Sequence, residues 1–126
     1  MKLSLISGNY SVYRFAHHEE IPLAIFTSDS FISITRTEDE MSVVCETGLC
    51  LDGHREEAGW KLLKIDGPLD FTMVGVVASF SAPLAREKIS IFVISTYDTD
   101  YLMVKNDKLA KAREVLTSEG FAITGF

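Results

Sequence analysis

At 126 residues the chain is long enough for one ordinary domain or two very small ones, and with 47% hydrophobic residues it can bury a core. A formal net charge of −6 and a pI near 5.0 argue against nucleic acid or an anionic membrane as partner, because both attract cationic surfaces. No apolar run approaches the ~20 residues of a membrane span, and the start MKLSLISGNY lacks the pattern of a signal peptide, so a cytoplasmic protein is expected.

Lys2–Ser7 and Tyr10–Phe15 flank Gly8-Asn9, a pair that accepts positive φ at both positions, which predicts a hairpin. His17-His18-Glu19-Glu20 reads as a solvated connector whose adjacent histidines point in different directions. Pro22 suits a first helical turn, so a short helix is expected over Pro22–Phe26. Phe31–Arg36 and Met41–Glu46 are strand-like. Thr47–Gly59 is polar and glycine-rich, with a hint of a helical turn at Arg55–Glu57. Trp60–Ile65 reads as a strand, and Asp66-Gly67-Pro68 as a turn at a domain boundary.

The second half is cleaner. A strand over Asp70–Val76 leads to a helix over Ser79–Lys88, with Ser81 as N-cap and Pro83 tolerated in the first turn. Ile89–Thr96 and Asp100–Val104 form strand–turn–strand, because β-branched and aromatic residues flank a centre rich in turn formers. Asn106 is a good N-cap, Leu109, Ala112 and Leu116 mark one helical face, and Gly120 sits at a C′ position. Phe121–Thr124 returns as a strand, giving the β-α-β-β-α-β order of a ferredoxin-like unit. An offset of 60 lays Ile34–Glu40 over Ile94–Asp100, matching Glu38 to Asp98 and Glu40 to Asp100. The expected fold is therefore α+β, two tandem ferredoxin-like (βαββαβ) units: residues 1–65, with reduced helices, and 66–126.

The chemistry-bearing residues point away from catalysis. Cys45, Cys50 and His54 spell C-x4-C-x3-H, and His17-His18 could extend that set, but structural zinc sites come as two tight ligand pairs. No metal or other cofactor is expected, and Cys45 reads as a small buried hydrophobe. Nothing sets a nucleophile beside its base, so no catalytic residue is assigned and the protein is not expected to be an enzyme. The stretch Ser95-Thr96-Tyr97-Asp98-Thr99-Asp100 carries four hydroxyls and two carboxylates, more hydrogen-bonding capacity than a turn requires. The plain alternative for Thr96, Thr99, Asp98 and Asp100 is that they satisfy turn amides.

Gly75-Val76-Val77-Ala78, Ala82-Pro83-Leu84-Ala85, Ile89-Ser90-Ile91-Phe92, Ile94–Tyr101 and Val104-Lys105 resemble the ACT domain. Within that family the resemblance is to the small bacterial tandem-ACT proteins related to the cytosolic arginine sensors of animals. Trp60-Lys61, Asp66–Phe71 and Glu40–Val44 fit the same branch. The resemblance implies a regulatory protein that binds an amino acid or related metabolite at an interface between ACT units, and a homodimer. It matches Gly75 and Val76 to the loop whose amides face the ligand, and Thr96 and Asp100 to polar ligand contacts. A zwitterionic ligand of the kind the resemblance implies needs acceptors for its ammonium, which Asp98 or Asp100 could supply, and donors for its carboxylate, which the amides of Gly75, Val76 and Val77 at a helix start could supply. Thr72 and Val74 stand where many ACT domains carry Asp or Asn and then Pro, and Met73 stands where the arginine sensors carry an acid. The alternative is an interaction module that keeps the fold and has lost the ligand.

Overall fold

Two glycines with positive φ, Gly8 at +106° and Gly59 at +84°, mark where the chain passes between two compact units. One unit is Gly8–Gly59; the other is Met1–Ser7 with Trp60–Phe126. The computed structural model describes residues 1–49, 53–67, 69–70 and 72–126. In chain order the elements are β1 (Lys2–Phe15), a 3₁₀ turn (Leu23–Thr27), β2 (Ser33–Arg36), β3 (Met41–Glu46), β4 (Arg55–Ile65) and α1 (Val76–Arg86). They continue with β5 (Ile91–Ser95), β6 (Asp100–Lys105), a 3₁₀ turn (Asn106–Lys108), α2 (Leu109–Ser118) and β7 (Ala122–Thr124).

In the larger unit the sheet order is β7-β1-β4-β6-β5. β5 and β6 are antiparallel from Ile91↔Val104 to Ser95↔Asp100, and β7 runs parallel to the start of β1. Alternate strand residues Leu63, Ile65, Leu102 and Val104 pack with Phe80 and Leu84 of α1 and Ala112 and Leu116 of α2. Each of these side chains larger than Ala112 contributes about 1.5–3 kcal/mol by leaving water. The smaller unit has the order β2-β3-β1-β4 over a second core of Tyr13, Phe15, Ile25, Met41, Val43 and Cys45.

Several elements differ from the sequence reading. Lys2–Phe15 is one strand, not a hairpin: a two-residue type I′ reversal needs positive φ at both central residues, and Asn9 does not have it. Gly8 takes its positive φ inside a strand whose two ends pair with β7 and with β3. Arg55–Glu57 opens β4 rather than forming a helical turn. Asp70–Val76 is not a strand over its described residues, because the Asp70 carboxylate accepts the Thr72 N–H at 2.9 Å and folds the backbone locally. The β-α-β-β-α-β order holds with β4 as its first strand. Ile65-Asp66, where the sequence reading divides the chain, lies within the larger unit.

α1 starts at Val76, so Ser81 is interior and Pro83 lies in the second half, where it cannot donate to the Ser79 carbonyl. Burial of Phe80, Pro83 and Leu84 on one face holds the helix despite that loss. Asn106 opens a 3₁₀ turn instead of capping α2. Among the described residues no helix is long and apolar enough to cross a membrane.

Candidate functional site

Gly75 stands immediately before α1 with φ +77°, in the left-handed region. A Cβ there would meet nothing within 4 Å, so backbone conformation and not crowding favours glycine. No side chain caps α1, which leaves the donors of its first turn, at Val76 and Val77, without a side-chain acceptor at the positive end of the helix.

The loop before the helix is tied down on two sides. Asp70 accepts both the backbone N–H and the hydroxyl of Thr72, each at 2.9 Å, and in that order these bonds hold its carboxyl below the usual range. Leu69 N–H donates to the Asp98 carbonyl at 2.7 Å, joining the loop to the β5–β6 turn. Gly67 makes that approach possible: a Cβ would lie 3.1 Å from Leu69 N and 3.2 Å from the Thr99 Cβ.

The β5–β6 turn divides its polar work. Thr96 N–H donates to the Thr99 carbonyl at 2.8 Å, the Thr96 hydroxyl donates to the same carbonyl at 3.0 Å, and Thr99 N–H donates back to that hydroxyl at 3.3 Å. Thr99 is buried, and its hydroxyl donates to the Ile65 carbonyl at 2.7 Å. Ser95 donates to the Asp100 carboxylate at 2.5 Å. The Asp98 carboxylate makes no hydrogen bond to a described residue, although its backbone carbonyl is engaged. Thr96, matched by resemblance to a ligand contact, is thus the residue that closes the turn. Asp98, read as a turn-closing candidate, keeps its carboxylate open.

Helix start, loop and turn surround one cleft of about 390 Å³. Gly75, Val76, Val77, Thr96, Asp98 and Asp100 all line it, so the structure brings the six sequence-selected residues together. Asp70, Met73 and Ala78 also line it and were not selected. The signal for Asp70 was present as an Asp-x-Thr pattern, but it lay inside a stretch read as strand. Three carboxylates and no basic side chain face the cleft.

The β2–β3 turn repeats this construction with a shifted register. Thr37 N–H donates to the Glu40 carbonyl at 2.8 Å, and the Thr37 hydroxyl receives the Glu40 N–H at 3.1 Å. Thr37 and Glu40 therefore do what Thr96 and Thr99 do, an offset of 59 and not 60. The pairs Arg36↔Met41 and Ser95↔Asp100, each next to its turn, agree with 59. Glu38 and Glu40 correspond to Tyr97 and Thr99, so the paired acids of the two turns are not structural equivalents.

Of the C-x4-C-x3-H pattern, Cys50 lies outside the described residues, as do Pro68 of the boundary turn and Phe71. Cys45 is buried, and burial foremost, with Glu56 and Glu46 nearby, pushes its thiol up to about 11. The His54 ring stacks on Phe15 at 3.9 Å and its Nε2 bonds Glu19, whose carboxyl is held below its usual range chiefly by that bond. His17 and His18 pack edge to face at 4.2 Å, closer than a connector with divergent side chains implies.

The ACT domain family model matches residues 55–118, which begins with β4 and ends with α2, and a model of an N-terminal domain matches residues 8–48. The cytosolic arginine sensor for mTORC1 subunit 1 of Rattus norvegicus is 35% identical over 107 residues, 76% of this chain and 32% of that protein. The chain spans only 18% to 32% of the length of the arginine sensors it matches. The crystal structure of protein Atu0741 from Agobacterium tumefaciens superposes with a TM-score of 0.90 at 36% identity, covering 98% of this chain and 91% of that one. Aspartate kinase of Clostridium acetobutylicum shares the fold, with a TM-score of 0.67 at 16% identity over 90% of this chain and 33% of that one. With its family match covering β4 through α2, and a relative of similar length superposing end to end, this chain belongs to the ACT domain family.

Proposed function

We propose that the protein is a regulatory, non-enzymatic small-molecule-binding protein whose ligand, an amino acid or related metabolite, occupies the cleft between the Gly75 loop and the β5–β6 turn. The observation that carries this reading is the pairing of an uncapped helix start with three carboxylates across one cleft. The ligand carboxylate accepts from the amides of Val76 and Val77, where the helix dipole favours an anion. The ligand ammonium donates to Asp98, whose carboxylate is open, and to the free oxygen of Asp100. Charge-assisted bonds of this kind contribute about 1.5–3 kcal/mol each. With no lining cation, the cleft favours a ligand whose remaining part is neutral or positive.

Met73, Val74, Val77 and Tyr97 are exposed apolar residues on or beside this cleft, and Val74 is 92% exposed. Such a rim suits an interface, which supports a homodimer that closes over the ligand. We read the fold as two tandem units sharing β4, which ends the first and opens the second. The Thr-closed hairpin in each half supports this duplication. A cytosolic setting accords with the name of the arginine sensor relatives.

The test is thermal unfolding and calorimetry of the full chain with each of the twenty amino acids. A ligand should raise the midpoint in line with RT ln(1 + [L]/Kd), and Asp98→Ala should weaken its binding at least about tenfold. If no amino acid moves the midpoint at millimolar concentration, the interaction-module reading replaces this one.

A further inference from the structure

The smaller unit carries a cleft of its own, about 570 Å³, at the place that the repeat makes equivalent to the first. It lies between the connector that precedes the Leu23–Thr27 turn, with His18, Glu19, Glu20 and Ile21, and the β2–β3 hairpin, with Ile34, Arg36 and Met41. At the offset of 59, the hairpin pair Arg36↔Met41 replaces Ser95↔Asp100. A hydroxyl and a carboxylate in one cleft become a guanidinium and a thioether in the other.

The groups left open here have both signs. The Arg36 guanidinium makes no ion pair or hydrogen bond with a described residue, and neither does the Glu20 carboxylate. They do not pair with each other. Glu19 is occupied by His54. Beside them stand exposed apolar side chains, Leu23 at 80% and Ile34 at 39%, with buried Met41 beneath. A cation and an anion that line one cleft without pairing, beside apolar side chains, match a zwitterion that carries an apolar side chain.

We propose that this cleft is a second amino-acid site with its own specificity: Arg36 receives the α-carboxylate, Glu20 the α-ammonium, and an apolar side chain lies against Leu23, Ile34 and Met41. The planar guanidinium offers two parallel N–H donors to a carboxylate, a geometry an ammonium cannot supply. Because the first cleft has no basic side chain and this one does, the two sites select different ligands.

The four methionines make the test direct, since Met41 lines this cleft, Met73 lines the other, and Met1 and Met103 line neither. The full chain, labelled with ¹³C at the methionine methyls, is titrated with L-phenylalanine and then with L-leucine. At least one should shift Met41 saturably and leave Met73 and Met103 in place. Phenethylamine, which lacks the carboxylate, and 3-phenylpropionate, which lacks the ammonium, should each bind at least about tenfold more weakly than L-phenylalanine if that is the ligand taken. Arg36→Ala should weaken the response at Met41 by a similar factor with Met103 unmoved, which certifies the fold. The proposal is overturned if neither amino acid moves Met41 at millimolar concentration, if Arg36→Ala leaves the response unchanged, or if only Met73 responds. L-arginine and L-lysine, read at Met73, test the first cleft separately.

Discussion

The two hairpins of this protein share a turn and differ in what they hold. Each is closed by a threonine whose backbone and side chain bond the residue three positions on. In the β5–β6 turn that residue is Thr99, buried and hydrogen-bonded to the Ile65 carbonyl; in the β2–β3 turn it is Glu40, bonded by Thr37 and Ser42 near the surface. The first arrangement anchors its turn to the sheet beneath and leaves Asp98 and Asp100 for a cleft. The second spends its carboxylate on the turn itself. A common backbone device thus tolerates opposite chemistry in the side chains around it.

The two hairpins should differ most at the first cleft. Asp98→Ala combined with Asp100→Ala should remove about 3–6 kcal/mol of ligand binding, by calorimetry, with stability nearly unchanged. Next come the closing residues. Thr99→Val leaves the Ile65 carbonyl unpaired in the interior and should lower unfolding free energy by about 1–3 kcal/mol in urea denaturation. Thr37→Val, at an exposed turn, should lower it by no more than about 1 kcal/mol. Equal losses at both positions would mean that burial of Thr99 does not distinguish the two hairpins.

The helix ends offer a smaller contrast. α1 turns off through Lys88 at φ +57° while α2 turns off through Gly120 at +98°, and in each the following N–H reaches back to a leucine carbonyl. Lys88→Gly should therefore stabilise by about 1 kcal/mol by relieving the left-handed backbone of a side-chain residue, read as a raised melting temperature. Gly120→Ala should lose about the same amount.

The smallest effect is that of pH. Glu40 in one hairpin, through Ser42 and then Thr37, and Asp70 beside the other cleft, through Thr72, both titrate below their ordinary values. A depressed carboxyl contributes stability that is present above its unfolded pKa and lost as pH falls through the folded one. Both contributions should hold near pH 7 and fade below about pH 4. Glu40→Gln and Asp70→Asn should each flatten part of that acid limb in denaturation midpoints, and a limb unchanged by either would dismiss the linkage.

Most elements were legible because their signals are local. Met41–Glu46 forms the strand its β-branched centre suggests, and Gly120 takes the C′ place after α2. Of the six residues selected for the first cleft, those of the turn were announced by a short-range pattern, whereas the helix start at Val76 was read three residues late, at Ser79. Asp70, Met73 and Gly67 escaped because their role depends on a loop meeting a turn some thirty residues later. The register of the repeat escaped for another reason. Paired acids in two turns align by eye at 60, but hydrogen bonds and strand pairing obey 59. A slip of one residue reverses which face of a strand a side chain occupies.

The α+β class, the alternation that buries one face of each strand, and the break at Gly120 were set by the sequence, because propensity and φ preference act within a few residues. Tertiary structure alone decided that Lys2–Phe15 is one strand through both units, that Thr96 is used to close a turn while Asp98 stays open, and that Arg36 stands where the other hairpin has Ser95. Those outcomes depend on which distant backbone groups find one another. Pairing across a sheet is settled by the burial of whole faces, and no local stretch of the chain carries that information.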